Sequence, residues 1–408
     1  KPAMAPATAA AATPTTTASS ASLAEMPGWK AATHFFIAMG LLDRLSEADR
    51  KVWDDQNLAA VTPEYLARIE LILDEVRQGV ACKDCDWGID MAADGPGVTL
   101  SHLSVARSLV RGMTLVGTCK IKRGREQEGV ADLIAAMAFS RCIPGKQCCL
   151  MSLITGHVNE AMPIGAIAEM LPKLKPETVR QLSASLPALP ERQSMAAAYR
   201  SGEKAMTLWF RKRVEGATTP EGLAKAFPGS ASSGPLPWSK DQLISMCKEC
   251  ESLFDAWAAL LEKPLDQFLR EEPAFHAKVQ SLLKEKKNSL AGLILPAFER
   301  SRNHEIRAQL QFAMLRAGIA YALEGEKGFK SILDPHADQP FKFEKLNKGF
   351  VLSALTVLLP ADGQQEKLPF GPYRKSGSNG NLEIHEILED GSTAPAAATV
   401  DDSVRNVF

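Results

Sequence analysis

The segment SHLSVARSLVRGMTLVGTCKIKRGREQEGVADLIAAMA, residues 101–138, carries the clearest structural signal in the chain. Its apolar residues recur at intervals of three and four, so each half forms one apolar helix face. These residues are Leu103, Ala106, Leu109, Val110, Met113 and Val116 in the first half, and Val130, Leu133, Ile134, Met137 and Ala138 in the second. Lys120–Gly124 lies between the halves and is typical of a helix C-terminus, where cations and glycine are favoured. The segment therefore predicts a helix hairpin.

The same spacing extends in both directions, which predicts a mainly α fold of stacked helix hairpins, similar to a solenoid. A helix start is clearest at Thr62-Pro63-Glu64, where a capping hydroxyl precedes a proline and an acid. Further helices are expected over residues 150–171, 176–187, 191–214, 239–261, 265–270, 274–285 and 297–323. No repeat of fixed period accompanies them.

The pattern changes beyond Asp334. Residues 341–343 and 382–388 alternate like strands, and residues 350–359 are apolar and β-rich. These features predict a small C-terminal antiparallel β unit, and a further strand is considered near residues 88–98. Short strands are not stable alone in water, so we expect the β unit to dock on the long helix that precedes it.

These patterns divide the chain into six parts. They are 1–26, a disordered tether rich in Ala, Thr and Pro; 27–227, a helical domain; 228–238, a linker or long loop; 239–333, a helical region with the long helix; 334–390, the β unit; and 391–408, a flexible tail. The tether has too little apolar surface to offset the entropy of ordering. Such a run often joins an export signal to a folded domain, so we expect export; an anchor upstream of Lys1 stays an alternative.

Charge and composition exclude two classes of protein. The 408 residues carry Lys+Arg 47 and Asp+Glu 48, a formal net charge of −1, which argues against a nucleic-acid binder with a basic face. Aromatic residues make up 6%, too few for base-stacking surfaces. The best apolar runs, 35–42 and 350–359, are shorter than the roughly 18–20 residues that span a bilayer, so no membrane span is expected.

The cysteines leave several interpretations open. They are Cys82, Cys85, Cys119, Cys142, Cys148, Cys149, Cys247 and Cys250, with Cys-x-x-Cys pairs at 82/85 and 247/250. Four thiolates from both pairs could bind one zinc ion, but strong zinc signatures are more compact in sequence. Thioredoxin-like chemistry would require a βαβ context, which neither pair has. We favour local disulfides or buried thiols, and Cys142 could pair with Cys148 or Cys149 across the turn at Pro144-Gly145.

Residues 84–90 resemble a calcium loop only in part, because the glycine and the bidentate glutamate of such a loop belong at other positions. We expect instead a structural loop formed by Cys85, Asp86, Trp87 and Gly88. Asp86 should accept hydrogen bonds from loop amides, and Trp87 should fill the helical core.

No catalytic, cofactor-binding or metal-binding residue is assigned from the sequence. His157 and Glu160 share a helix face at a spacing that carboxylate–histidine metal sites use, but packing is the simpler interpretation. The sequence has no Walker loop, dinucleotide-binding fingerprint, nucleophile elbow or zinc-protease signature.

Two stretches together resemble a family of uncharacterised exported helical proteins, known mainly from planctomycete- and verrucomicrobial-type bacteria. The first is Cys85-Asp86-Trp87-Gly88-Ile89-Asp90, and the second is Leu103-Ser-Val-Ala106-Arg107-Ser-Leu109. Ala131-Asp132-Leu133 is similar to a stretch in the next helix of that family. The resemblance implies a helical fold and export, and it supplies no catalytic residues.

The C-terminal region resembles the end of type II secretion pseudopilins. Asp334–Phe341 is similar to their Asp-Pro turn, and Lys348–Ser353 is similar to the strand that follows. His336 and Asp338 depart from the aromatic and glycine residues usual there. The acidic, glycine-rich ending that holds calcium in pseudopilins is absent from this sequence, so the resemblance implies the helix and small sheet but no calcium site.

These observations favour a non-enzymatic, exported helical scaffold or protein-interaction protein, periplasmic or associated with the cell envelope. Its expected partner is another protein, and no cofactor is expected. Two alternatives stay open. One is a metal-binding protein or hydrolase that uses the loop at residues 82–94, and the other is a component of a secretion apparatus.

Overall fold

The computed structural model describes residues 29–82, 84–226, 238–284, 298–357, 365–378, 381–387 and 393–395. Within these ranges the chain is mainly helical, and antiparallel strands follow the last helix. The predicted mainly α fold with a small C-terminal antiparallel sheet is therefore confirmed. The tether at 1–26 lies outside the described residues, as do nearly all of the linker at 228–238 and most of the tail at 391–408.

The first group of helices precedes residue 190. It comprises α1 (Trp29–Asp43), α2 (Glu47–Asp55), α3 (Pro63–Ala81), α4 (Met91–Asp94), α5 (His102–Lys122), α6 (Glu126–Cys142), α7 (Leu150–Met170) and α8 (Pro176–Ser185). Thr62 caps α3 as predicted, because its side chain accepts a hydrogen bond from the amide of Tyr65. The hairpin predicted over residues 101–138 is confirmed as α5 and α6.

The second group of helices follows residue 194. It comprises α9 (Met195–Ala198), α10 (Lys204–Gly216), α11 (Pro220–Lys225), α12 (Lys240–Leu261), α13 (Leu265–Lys284), α14 (Phe298–Glu324) and α15 (Glu326–Lys330). One π-helical turn, Tyr199–Glu203, joins α9 to α10. α12 begins with a capping box, in which Ser239 and Gln242 each bond the other's backbone amide.

Two local predictions are wrong. The sequence predicts two short helices at 265–270 and 274–285, but α13 continues through Pro273. It does so because Phe268 and Phe275 both pack on Trp257, with ring centroids 5.7 and 5.0 Å away. The strand considered near residues 88–98 is absent from the described loop; α4 forms there because Asp90 accepts hydrogen bonds from two amides of its first turn.

In the described part of the chain, six strands follow the helices. They are β1 (Lys342–Leu346), β2 (Gly349–Val357), β3 (Gln365–Phe370), β4 (Tyr373–Ser378), β5 (Asn381–Ile387) and β6 (Thr393–Pro395). They form two antiparallel sheets, ordered β1-β2-β3 and β4-β5-β6. β6 falls within the predicted tail, so pairing extends past the predicted limit of the β unit.

The first sheet docks on α14 as predicted. The ring of Tyr321 lies 4.8 Å from that of Phe343 and 4.9 Å from that of Phe350. The turn before β1 is held by Asp334, which is 0% exposed. Its carboxylate accepts hydrogen bonds from four backbone amides, at His336, Ala337, Leu355 and Thr356. The Asp-Pro turn is thus bonded directly to the end of β2.

The described residues form four apolar clusters, and three of them are large. The first joins α1, α3, α5 and α6. The second joins the end of α7 to α8, α14 and the first sheet. The third joins the start of α7 to α9, α12 and α13. Because α7 contributes to two clusters, it is the helix around which the later elements pack.

α5 and α6 pack so closely that their backbones nearly touch. A β-carbon on Gly129 would lie 2.4 Å from the carbonyl oxygen of Gly117, so neither position has room for a side chain. Beside this contact, Lys120 of α5 and Asp132 of α6 are 1% and 0% exposed, and their charged atoms are 2.7 Å apart. Arg77 of α3 binds the same carboxylate at 2.6 Å. We call these three residues the buried charge network.

Removing the acidic partner of the buried charge network should strongly destabilise the folded protein. Asp132→Ala leaves Lys120 buried without its nearest counter-charge, so the free energy of unfolding should fall by about 3–5 kcal/mol. The double variant Lys120→Met/Asp132→Leu removes both charges and should lose clearly less. Urea unfolding followed by circular dichroism measures both. Equal losses in the two variants would show that packing, and not the charge, determines the effect.

Candidate functional site

A cleft with a volume of about 450 Å³ opens beside the predicted structural loop. Three segments line it: residues 84–86 after α3, residues 141–146 at the end of α6, and residues 190–193 before α9. Its lining includes Asp84, Cys85, Asp86, Arg141, Cys142, Gly145, Lys146, Pro190, Glu191 and Gln193. We call this cavity the Cys85 cleft. The loop singled out from the sequence therefore forms one wall of it.

Trp87 anchors that wall. Its side chain is 8% exposed, and its indole Nε1 donates a hydrogen bond to the carbonyl oxygen of Cys142 at 3.0 Å. The indole also stacks on His102, with centroids 4.5 Å apart. A β-carbon on Gly145 would lie 2.5 Å from the indole, so this close approach requires glycine. The loop is consequently bonded to the turn after α6.

Asp86 and Gly88 shape the loop in front of Trp87. The carboxylate of Asp86 accepts a hydrogen bond from the amide of Gly88 at 2.9 Å. Gly88 has φ 68°, a left-handed conformation in which glycine carries no steric cost. The structure thus places Asp86 in the local role that the sequence suggests.

Cys85 and Cys142 meet in the wall of the cleft. The pKa of the Cys85 thiol is raised, first by its hydrogen bond with Cys142 and then by burial. Cys82 also belongs to this region, and its thiol donates to the carbonyl oxygen of Gln78 at the end of α3. Cys142 is therefore bonded to a cysteine far away in sequence.

The predicted pairing of Cys142 with Cys148 or Cys149 is not formed. The Cys148 thiol donates to the carbonyl oxygen of Cys149, and the Cys149 thiol contacts the hydroxyl of Ser152. All eight cysteines are free thiols. Buried thiols are the other expectation. Six cysteines are buried, namely Cys119, Cys142, Cys148, Cys149, Cys247 and Cys250, while Cys82 and Cys85 are half-buried.

The two Cys-x-x-Cys pairs do not come together. Cys82 and Cys85 lie against the first apolar cluster, whereas Cys247 and Cys250 are buried in α12 among residues of α10. A single four-thiolate zinc site is therefore excluded by their separation. In the described ranges, no three His, Cys, Asp or Glu side chains converge to hold a metal ion.

Buried ionic residues adjoin the cleft. Glu160 of α7 binds Arg141 at 2.7 Å and Arg192 at 2.7 Å, and both guanidinium groups lie 4.5 Å from the ring centre of Phe312. Glu160 is 1% exposed, so this arrangement fixes α6, α7 and the segment before α9 together. Glu160 is thus occupied by two arginines. Arg141 and Arg192 are not recognisable as a pair from the sequence, because only the fold brings residues so distant in sequence together.

His157 lies beside this group and is 8% exposed. Burial lowers its pKa to about 4, and the nearby charges of Arg192 and Arg141 act in the same direction, while Glu160 opposes them. His157 is therefore neutral at pH 7 in the folded protein, which fits the packing interpretation of the His157–Glu160 pair.

Comparison with protein-family models, curated proteins and solved structures found no match to this chain. The resemblances drawn from residues 85–133 and 334–353 therefore stay expectations. Among the helices in the described part of the chain, none combines the length and apolar character needed to cross a bilayer.

Removing the Trp87 side chain should destabilise the protein strongly. Trp87→Ala deletes a buried aromatic ring and its hydrogen bond, so the free energy of unfolding should fall by about 3–5 kcal/mol. Leu71→Ala is a suitable control, because Leu71 is 55% exposed and should change stability by less than about 0.5 kcal/mol. Urea unfolding measures both, and a loss below about 1 kcal/mol for Trp87→Ala would contradict the anchoring role.

The pKa of His157 predicts a pH dependence. Its folded pKa of about 4 lies below the ordinary histidine value of 6.5, so the unfolded chain binds the proton more readily between these values. Stability should therefore fall as the pH drops from about 6.5 to about 4, by at most about 1.4 kcal/mol per pH unit for this residue. His157→Gln should flatten the decline in a pH series of urea unfolding curves. An unchanged slope would show that His157 is not buried in its neutral form.

Proposed function

We propose that this chain is a non-enzymatic helical scaffold that binds a segment of a partner protein in the Cys85 cleft. The proposal rests on hydrogen bonds from side chains to backbone carbonyl groups, which connect the three segments around the cavity. Trp87 bonds the carbonyl oxygen of Cys142, Arg141 bonds that of Pro190 at 2.8 Å, and Gln193 bonds that of Gly145. A cavity held open in this way reduces the entropic cost of binding.

The size and charges of the cleft support a polar partner segment. Its volume of about 450 Å³ falls within the usual range for binding clefts, roughly 300–1,000 Å³. Lys146 and Glu191 are exposed at its edge, and the carboxylate of Glu191 forms no ion pair with another described residue. Exposed charges at the edge of a cleft give a partner specific points of recognition.

Site-specific photo-crosslinking in the native cell tests this proposal. A photoreactive benzoylphenylalanine replaces Lys146 in the full chain, and a matched protein carries it at Lys173. Lys173 is also exposed but follows the far end of α7, a 21-residue helix about 30 Å long. The Lys146 probe should give an adduct of discrete mass that the Lys173 probe does not give.

Charge reversal distinguishes the cleft from nonspecific capture. Glu191→Lys in the Lys146 probe protein should lower the adduct yield about tenfold, because like charges across an interface oppose binding. No adduct, or an adduct that both probes give equally and Glu191→Lys leaves unchanged, would overturn the proposal.

We further propose that the protein is exported and acts in the periplasm or at the cell envelope. This rests on the resemblance carried by residues 85–109 and on the run of Ala, Thr, Ser and Pro at residues 1–22. Fractionation of native cells, with antibody against the folded chain, should recover it outside the cytoplasm. Recovery in the cytoplasmic fraction alone would contradict this part of the proposal.

A component of a secretion apparatus is the second candidate. It is favoured by one arrangement: the long helix α14 is followed by the Asp334-Pro335 turn and an antiparallel sheet docked on that helix. Crosslinking from an exposed position on the sheet, such as Lys345, to a pilin-like protein would favour this candidate over a general scaffold.

A further inference from the structure

Two thiols from distant parts of the sequence are held together in the wall of the Cys85 cleft. Cys85 lies on the loop after α3, and Cys142 ends α6. A hydrogen bond joins the loop to the helix. Its donor is the indole of Trp87, two residues after Cys85, and its acceptor is the carbonyl oxygen of Cys142. Both residues line the cavity, and Cys85 is partly exposed there, so a small oxidant can reach the pair from the Cys85 side.

We propose that Cys85 and Cys142 form a reversible disulfide that links the loop at residues 84–90 to the C-terminus of α6. The other candidate partners are less well placed. Cys148 and Cys149 lie beyond the turn. The Cys148 thiol bonds the carbonyl oxygen of Cys149, and the Cys149 thiol contacts the hydroxyl of Ser152. The Cys82 thiol bonds the carbonyl oxygen of Gln78 at the end of α3. The two thiols thus form a site of two-electron oxidation, and the oxidant is a disulfide of low molecular mass.

The reaction balances as two successive thiol–disulfide exchanges. The thiolate of one cysteine attacks the oxidant's sulfur–sulfur bond, forms a mixed disulfide and releases one oxidant thiol. The second cysteine then attacks the mixed disulfide, closes the bond between Cys85 and Cys142 and releases the second thiol. The protein loses two electrons and two protons, and the oxidant gains them. Because the pKa of Cys85 is raised, the reaction should be slow at neutral pH and faster at alkaline pH.

Trypsin places Cys85 and Cys142 in different peptides and separates both from the cysteines that compete for this bond. Cleavage after Lys and Arg places Cys82 in residues 78–83, Cys85 in residues 84–107, Cys142 in residues 142–146, and Cys148 with Cys149 in residues 147–173. The full chain is treated with oxidised glutathione at pH 8, its remaining thiols are alkylated, and the digest is analysed by mass spectrometry without reduction. We expect peptide 84–107 linked to peptide 142–146, and dithiothreitol should separate them.

Three variants complete the test. Cys85→Ser and Cys142→Ser should each abolish the linked peptide, while Cys148→Ser, a neighbouring buried thiol, should leave it unchanged. Because the disulfide closes a long loop, oxidation should also raise the melting temperature of the unmodified chain by several degrees, and should not do so in Cys85→Ser. A link from 84–107 to 78–83 or to 147–173, or glutathione retained on Cys85 with no internal link, would overturn the proposal. None of these readouts depends on a partner protein, so the result stands apart from the proposed scaffold function.

Discussion

The architecture depends on one buried ionic contact, between Lys120 and Asp132 where α5 crosses α6. Charges removed from water are tolerated only when they are neutralised in good geometry. Here Arg77 of α3 binds Asp132 as a second cation, and Glu70 of the same helix is the second acid, 2.7 Å from Arg77 and 3.6 Å from Lys120. The contact can form only because Gly117 and Gly129 let the two helices approach so closely. The close packing of the helices and the buried ion pair therefore depend on each other, and together they fix α3, α5 and α6 relative to one another. The ends of two of these helices, α3 and α6, position the walls of the Cys85 cleft.

The same principle recurs elsewhere in the fold. Glu160 forms ion pairs with Arg141 and Arg192 next to the cleft. The buried carboxylate of Asp334 accepts hydrogen bonds from amides of the Asp-Pro turn and of β2, and so connects the two. In each case a buried acid joins elements that are distant in sequence. Apolar spacing determines which helices form, whereas these acids determine how the helices and the sheet are joined. The cleft is consequently a property of the assembled fold and not of any one segment.

The sequence predicts what is local and misses what depends on tertiary contact. The helix hairpin at 101–138, the cap at Thr62 and the docking of Phe343 on the long helix all follow from spacing and turn chemistry. β4, with the sequence YRKSGS, has no alternating apolar residues and gives no strand signal. α13 continues through Pro273 because its aromatic residues surround Trp257, which no local pattern reveals. The loop at 84–90 is recognisable as structural, but its proximity to Arg141 and Cys142 emerges only from the fold.

The central claim is that the loop at 84–90 is a fixed wall of the cleft, bonded to the end of α6 through Trp87. Hydrogen–deuterium exchange of the native protein tests it most directly, with Trp87→Phe as the variant that keeps an aromatic ring and removes the indole donor. The account predicts that amides in residues 85–91 and 142–146 are protected to a similar degree. It also predicts that the variant speeds exchange in both segments together, by roughly five- to tenfold for one lost hydrogen bond. Fast exchange of the loop in the unmodified protein, unaffected by the variant, would contradict the account.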